Sequence, residues 1–134
     1  MDWFLVAVFG ALGAITRYVV DRAIMTRLAT DFPVGTLMIN LSGALVLGMV
    51  TGLATRNLLS TDAVVAIGDG FIGAYTTFST WMVDVVSLVR SGNTATALEY
   101  VVLSLVAGLA AVVIGVAAAR TLVRAWRGMQ QEAT

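Results

Sequence analysis

The 134-residue chain contains no cysteine, no histidine and no lysine, and it has a single proline, Pro33. Without cysteine there is neither a disulfide framework nor a thiolate metal site. Without histidine, catalytic triads and zinc sites built on imidazole are excluded, and the commonest acid–base group is missing. The cations are all arginine and the formal net charge is +0, so no basic run could follow a nucleic-acid backbone. The composition therefore excludes enzymes whose chemistry needs cysteine or histidine.

Charge of either sign is scarce. Charged residues make up 12% of the chain and apolar residues 59%, whereas a soluble domain carries about 25% charged residues. A small globule has a large surface relative to its core, and so few charges cannot cover a surface that faces water. The composition therefore predicts a membrane protein.

The apolar residues fall into four stretches that are long enough to cross a bilayer, for which about 20 residues are needed. They run from Trp3 to about Ala23, from Pro33 to about Ala54, from about Asp62 to Val89 and from about Thr96 to Val123. The connections are short, and no linker or low-complexity stretch divides the chain. We predict a single all-α transmembrane domain over residues 1–134, in a multi-pass protein of the cell membrane.

The third span departs from an ordinary transmembrane helix. It contains Asp69 within the glycine cluster Gly68, Gly70 and Gly73, followed by Thr76-Thr77-Phe78-Ser79-Thr80. Glycines and hydroxyl residues in succession weaken a helix, and broken backbone in lipid is tolerated only where protein covers it or where it lines a cavity. We predict a broken third helix at a functional element. The alternative is a face of small residues that packs tightly against another helix.

Polar side chains recur four residues apart, on one helical face, in three of the spans: Arg17 and Asp21, Thr36 and Asn40, and Tyr100 and Ser104. Polar groups inside a membrane are costly and usually face the interior of the helix bundle. Two interpretations of each pair stay open at this point. Arg17 either pairs with Asp21 at the helix end or places a positive charge in an aqueous vestibule. The other two pairs either join helices by hydrogen bonds or line a polar route.

Together these residues favour a small anion as the transported species. Their hydroxyls and amides are donors of moderate strength, and Phe78 and Trp81 present electropositive ring edges. Residues 3–16 of the first span and the whole second span contain no carboxylate, which a cation or proton carrier needs there. A path of weak donors and aromatic rings suits an anion that must lose its water and still leave the site again.

The arginines are divided almost evenly between the two sides of the membrane. One side has Arg56, Arg120, Arg124 and Arg127, and the other has Arg22, Arg27 and Arg90, with Arg17 if it is counted. Orientation normally follows an excess of Lys and Arg on the cytoplasmic side, so this chain hardly specifies its topology. Four short helices do not easily enclose a path alone, and small-residue faces such as that of Gly48 and Gly52 favour association. We expect dual insertion and an antiparallel dimer.

Three motifs, in this order, resemble those of the CrcB/Fluc family of fluoride channels, and the resemblance covers the whole chain. The first is Gly13-Ala14-Ile15-Thr16-Arg17-Tyr18, and the second is Gly35-Thr36-Leu37-Met38-Ile39-Asn40 with Gly43. The third and most specific is Gly70-Phe71-Ile72-Gly73-Ala74-Tyr75-Thr76-Thr77-Phe78-Ser79-Thr80. The resemblance implies an antiparallel dimer with two fluoride pores at the subunit interface, and passive export of fluoride from the cytoplasm.

The resemblance also implies roles for the residues at matching positions. A structural sodium ion at the dimer interface would be held by the backbone carbonyls of Gly73 and Thr76. The residues that match the family's pore are Phe78, Trp81, Asn40, Ser79, Thr36, Tyr100 and Ser104, and Arg17 matches the vestibule arginine.

The sequence departs from the family pattern at three positions. Trp81 and Met82 stand where phenylalanine and a small hydroxyl residue are usual, and Gly108 stands where the hydroxyl track continues. Because some members of the family are heterodimers of two related chains, a heterodimer with a paralogue is the alternative to a homodimer. The rival function is a small proton-coupled multidrug exporter, which needs a carboxylate in the first span; residues 3–16 contain none. A membrane assembly subunit without transport is a second rival, which the concentration of polar groups disfavours.

Overall fold

The computed structural model describes residues 2–28, 30 and 32–132, and these form helices joined by short turns. The α-helices are α1 (Asp2–Met25), α2 (Val34–Ala54), α3 (Thr61–Val64), α4 (Gly73–Tyr75), α5 (Phe78–Arg90) and α6 (Thr94–Glu132). A π-helical segment, Val65–Ile72, connects α3 directly to α4. The described part of the chain contains no strand.

Four stretches are long and apolar enough to cross a membrane: Asp2–Met25, Val34–Ala54, Thr61–Arg90 and Thr94–Gln130. The prediction of an all-α membrane protein with four transmembrane helices is therefore confirmed. The helices begin and end close to the predicted bounds, except that α6 continues to Glu132, well beyond Val123. The residues after Val123 mix polar and apolar side chains, and arginine, alanine, methionine and glutamine among them favour the helix. The helix therefore continues beyond its uniformly apolar part.

α2 and α6 lie side by side in close contact because small residues face each other. A Cβ added at Gly48 would lie 3.0 Å from Val112 Cα, and one added at Gly52 would lie 2.7 Å from Ala119 Cβ. On α6, Gly115 fits against the backbone of α2 in the same way. Small residues let helix backbones approach closely. The Gly48–Gly52 face, which the sequence suggests for association between chains, is therefore occupied within the chain and gives no argument for a dimer.

The third span packs against α1 through its π-helical segment. A Cβ added at Gly70 would lie 2.9 Å from Phe9 Cβ and 3.3 Å from Val6 Cα, so only glycine allows this contact. From the other side, Gly13 of α1 lies against the backbone of Phe71. The glycine cluster thus satisfies both interpretations, since it forms a packing face and also lies where the span departs from α-helical winding. Such π-helical turns occur frequently at functional sites.

Candidate functional site

The third span is interrupted between α4 and α5, as its consecutive threonines predict. Thr76 (φ −78°, ψ 160°) and Thr77 (φ −150°, ψ 124°) have extended backbone. Thr77 is also the N-cap of α5, since its Oγ1 accepts a hydrogen bond of 3.2 Å from the Thr80 backbone N–H. Threonine suits both roles because its β-branched side chain favours extended backbone and its hydroxyl satisfies a free N–H at a helix start.

Asn40 of α2 holds this break in place. Its Oδ1 accepts a hydrogen bond of 2.8 Å from the Thr77 N–H, and its Nδ2 donates one of 3.0 Å to the Thr77 carbonyl. One side-chain amide therefore supplies both of the partners that Thr77 lacks in the interrupted helix. One Nδ2 hydrogen remains for another acceptor.

The break also frees the two carbonyl groups that are predicted to hold a metal ion. In a continuous helix the Thr77 N–H would bond to the Gly73 carbonyl, and the Thr80 N–H would bond to the Thr76 carbonyl. Here these N–H groups donate to Asn40 and to Thr77 Oγ1 instead. Backbone carbonyl oxygens that are free of the helix are suitable ligands for an alkali cation. The carbonyl oxygens of Gly73 and Thr76 therefore fit the predicted sodium ion as ligands.

A cavity of about 370 Å³ lies between the break, α2 and α6. We call it the central cavity, and five of the predicted site residues line it: Asn40, Thr76, Phe78, Trp81 and Ser104. The remaining wall is mainly aliphatic and includes Gly108. Among the described residues, no acidic or basic side chain lines this cavity. The central cavity is therefore neutral, with a few hydrogen-bond donors in an apolar wall.

A row of aromatic rings extends from the central cavity. The ring centroids of Phe78 and Trp81 are 5.6 Å apart, and those of Trp81 and Tyr100 are 6.2 Å apart. Phe32 then meets Tyr100 edge to face at 5.3 Å. Phe78 is 74% exposed, whereas Tyr100 is completely buried. The row therefore begins at a ring that is available to another molecule and ends in the core.

Two buried donors at the central cavity have no partner in the described part of the chain. They are the Trp81 Nε1–H and the Ser104 hydroxyl, on α5 and α6. A buried polar group without a partner costs about 1–3 kcal/mol. Both residues line the central cavity.

Tyr100 is outside the lining of the central cavity, and its hydroxyl donates a hydrogen bond of 3.3 Å to Asp84 Oδ2. Asp84 lines a second cavity of about 350 Å³ together with Pro33, Ser87, Leu88, Ser91 and Asn93. No motif in the sequence predicts this contact. The signal that could have found Asp84 is a carboxylate inside a membrane span, which is rare and usually marks a functional position.

Arg17 and Thr36 belong to a third cavity, of about 250 Å³, between α1, α2 and the start of α5. Arg17 is half-buried there, and in the described part of the chain it has no ion pair with Asp21, which lines the same cavity. The two charged side chains thus share a cavity without forming a closed pair in the described structure. Ser79 is exposed, with its hydroxyl 3.4 Å from Thr77 Oγ1. The predicted site residues thus divide between the central cavity, the Arg17 cavity and the surface near the break, except Tyr100, which lies in the buried core.

The fold and the central cavity define a class of protein: a small multi-pass membrane protein with a broken helix beside a neutral, donor-lined cavity. The family model described as CrcB-like protein, Camphor Resistance (CrcB), matches residues 4–116. The chain therefore belongs to the CrcB family, as its three motifs predict.

Three relatives illustrate the similarity, and each is named a fluoride-specific ion channel. FluC 2 of Mycobacterium tuberculosis (strain ATCC 25618 / H37Rv) is 45% identical over 113 residues, which cover 84% of this chain and 86% of the relative. FluC 1 of Symbiobacterium thermophilum is 41% identical over 119 residues, which cover 87% and 96%. FluC 2 of Clostridium acetobutylicum is 39% identical over 109 residues, which cover 81% and 90%.

Proposed function

We propose that this chain forms a fluoride-selective channel through which fluoride leaves the cytoplasm passively. Its relatives at 39–45% identity are named fluoride-specific ion channels. The observation that carries the proposal is the central cavity, which combines neutral donors and aromatic rings and lacks charged side chains among its described lining residues. Passive conduction needs no nucleophile or acid–base group, in agreement with a protein that is not an enzyme.

The donors at the central cavity suit an anion that must shed water and then leave. Fluoride has a strong field, so neutral hydroxyl and amide donors can replace part of its hydration shell without trapping the ion. The free Nδ2 hydrogen of Asn40, the Trp81 Nε1–H and the Ser104 hydroxyl are the available donors. Where the path is narrow and apolar, it would disfavour chloride, which is larger than fluoride.

The remaining predicted residues would act before and after the ion loses its water at the central cavity. Arg17, half-buried beside Thr36, would raise the local concentration of anions at an entrance. Ser79, exposed next to the break, and Tyr100, at the inner end of the aromatic row, would extend the path in the two directions. The ring edges of Phe78 and Trp81 would contact the ion.

A proton-coupled exporter of cationic drugs is the less favoured function. Such a carrier needs a carboxylate where its substrate binds, and residues 3–16 of α1 contain none. The third span has Asp69 and Asp84, but neither lines the central cavity. The cavity therefore suits an anion better than a cation.

We also propose that two copies pair in antiparallel orientation and complete the path between them. The exposed ring of Phe78 supports this, because 74% of its surface is free in one chain although it borders the central cavity. The even distribution of arginine supports dual insertion into the cell membrane. A heterodimer with a paralogue is the alternative, and the relatives include chains named both FluC 1 and FluC 2.

In that dimer, the carbonyls of Gly73 and Thr76 would hold a structural sodium ion. The N–H groups that would bond to these carbonyls in a continuous helix donate to Asn40 and to Thr77 Oγ1 instead. Gly73 is also exposed on the surface of the chain. When bound, the ion supplies a positive charge that links the two broken helices. The residues hold this ion in place and do not transport it.

Fluoride efflux from liposomes tests the function directly. Purified protein, with the membrane voltage clamped by a potassium ionophore, should release fluoride and retain chloride. Phe78→Ile should abolish the flux while the dimer elutes unchanged in gel filtration. Chloride release at the same rate, or normal flux from Phe78→Ile, would contradict the proposal. No flux from this chain alone, with recovery after a paralogous chain is added, would replace the homodimer by the heterodimer.

A further inference from the structure

The C-terminal end of α6 extends beyond the helix against which it packs. Gly52, near the end of α2 at Ala54, lies beside Ala119 of α6, and α6 continues to Glu132. The part of α6 after Ala119 is about 20 Å long, at 1.5 Å per residue. The 39 residues of α6 together span about 58 Å, whereas the hydrocarbon core of a bilayer is about 30 Å thick. The extension therefore reaches the membrane surface.

Three arginines share one side of this extension, which we call the arginine face: Arg120, Arg124 and Arg127. Their spacing of four and three residues places them one above the other on the helix. All three side chains are exposed, and none forms an ion pair in the described part of the chain. Arg56, in the turn after α2, adds positive charge at the same end, and Asp2 and Asp62, which begin α1 and α3, are acidic residues there.

The other side of the extension is apolar. Leu122, Trp126 and Met129 are 56%, 49% and 62% exposed, respectively. Trp126 and Leu122 border a shallow cavity with Leu53 and Leu58, at the end of α2. An exposed tryptophan beside exposed aliphatic side chains is unfavourable in water and typical of the boundary between acyl chains and headgroups. The extension therefore has a cationic side and an apolar side.

We propose that the arginine face binds the phosphate groups of anionic phospholipids while Trp126 and its apolar neighbours lie against the acyl chains. Guanidinium groups remain charged at all physiological pH values and bind phosphate oxygens in pairs. Clusters of basic residues next to a membrane span attract anionic headgroups, and the attraction adds up over the cluster. The proposal concerns a surface apart from the central cavity and holds whichever ion the protein conducts.

Quenching of Trp126 fluorescence by brominated lipids tests the proposal, because bromine quenches only an indole that it contacts. The chain has three tryptophans, so Trp3→Phe and Trp81→Phe leave Trp126 as the reporter. The protein is placed in phosphatidylcholine bilayers that contain equal fractions of brominated phosphatidylglycerol or brominated phosphatidylcholine. We expect the anionic lipid to be enriched about fivefold at Trp126, and the enrichment to fall as salt is added.

A matched pair of triple variants separates the arginine face from charge in general. In R120Q/R124Q/R127Q, the two brominated lipids should quench Trp126 equally. In R22Q/R27Q/R90Q, which removes the same number of charges from the other end, the anionic lipid should still quench Trp126 more strongly. Circular dichroism verifies that both variants retain their helices, and single Gln variants at the three positions, each with a partial loss, replace the triple variant if it does not fold. Equal quenching by both lipids in the parent protein would overturn the proposal. So would quenching by neither lipid, since a second copy or another protein would then cover Trp126.

Discussion

Asn40 and Thr77 exchange two hydrogen bonds, of 2.8 and 3.0 Å, across 37 positions of sequence. The contact joins the second span to the break in the third, and it satisfies backbone groups that the interrupted helix leaves without partners. The break is therefore a fixed element of the fold, held from outside by one side chain. The geometry of the central cavity, which both residues border, depends on the same contact.

Removing the Asn40 amide should destabilise the protein more than any other polar deletion on α2. Asn40→Leu leaves the Thr77 N–H and carbonyl unpaired, which should cost about 2–4 kcal/mol of unfolding free energy. Thr51→Leu is the matched control, because Thr51 is exposed and bonds only to the Leu47 carbonyl of its own helix. Denaturant unfolding in detergent measures both. Equal stability of the two variants would show that the break holds without Asn40.

Substitutions of Trp81 should distinguish the role of its aromatic ring from the role of its N–H group. Trp81→Phe keeps the aromatic contact with Phe78 and removes a buried donor that has no partner. Fluoride flux should fall only in part, because the donors of Asn40 and Ser104 remain, and stability should not be lost. Trp81→Ala should lower the flux at least about tenfold, a barrier increase of about 1.4 kcal/mol. Efflux from liposomes measures both variants. A Trp81→Ala protein that conducts like the parent would exclude a role for the ring.

The bond between Tyr100 and Asp84 should appear as a coupling energy. Asp84→Asn and Tyr100→Phe each disturb the pair, and together they should cost less than the sum of the single effects by about 1–2 kcal/mol. Thermal unfolding of the four proteins in a double-mutant cycle gives this value. Strict additivity would mean that the hydroxyl and the carboxylate do not interact in the folded protein.

Substitution of a glycine on α6 by alanine should change the stability of the protein by an amount that depends on the contacts of that glycine. Gly115→Ala forces a Cβ against the backbone of α2 and should destabilise the protein by about 1–3 kcal/mol. Gly128→Ala meets nothing within 4 Å and should be neutral or stabilising by up to about 1 kcal/mol. Unfolding curves of the two variants provide the comparison. If Gly128→Ala were the more harmful one, the described contact between α2 and α6 would be wrong.

Sodium should stabilise the assembled protein if the freed carbonyls bind it. A ligand that binds only the folded state raises stability with the logarithm of its concentration. Replacing sodium by a large organic cation at constant ionic strength should therefore lower the melting temperature, and Asn40→Leu, which releases the break, should weaken this dependence. Melting temperatures that are equal in the two salts would argue against a site at Gly73 and Thr76.

The apolar stretches predict the spans well because a bilayer requires a minimum length of apolar helix. The consecutive threonines predict the break for a local reason, since Thr77 caps the next helix with its own hydroxyl. These features follow from residues that are neighbours in the chain. The spans and the break can therefore be predicted from the sequence without knowledge of the fold.

The features that the sequence did not reveal depend on partners far along the chain. The spacing of Asn40 indicates a polar face, but only the fold brings its amide to Thr77. Gly48 and Gly52 look alike whether their neighbour is α6 or a second copy, and the fold selects α6. The π-helical winding of residues 65–72 also escaped prediction, because glycines signal a weak helix without specifying what replaces it.

The π-helical segment contains more residues than an α-helix of the same length would need, so the third span can shorten there. Its hydrogen bonds close over five residues, as in the bond from the Gly73 N–H to the Gly68 carbonyl, so each hydrogen-bonded ring encloses one residue more than in an α-helix. Removing one residue from Val65–Ile72 would be absorbed by rewinding into α-helix. Removing one residue from α5 ahead of Trp81 would turn that ring by about 100° relative to the rest of the helix. Changes of chain length are therefore tolerated on one side of the break and not on the other.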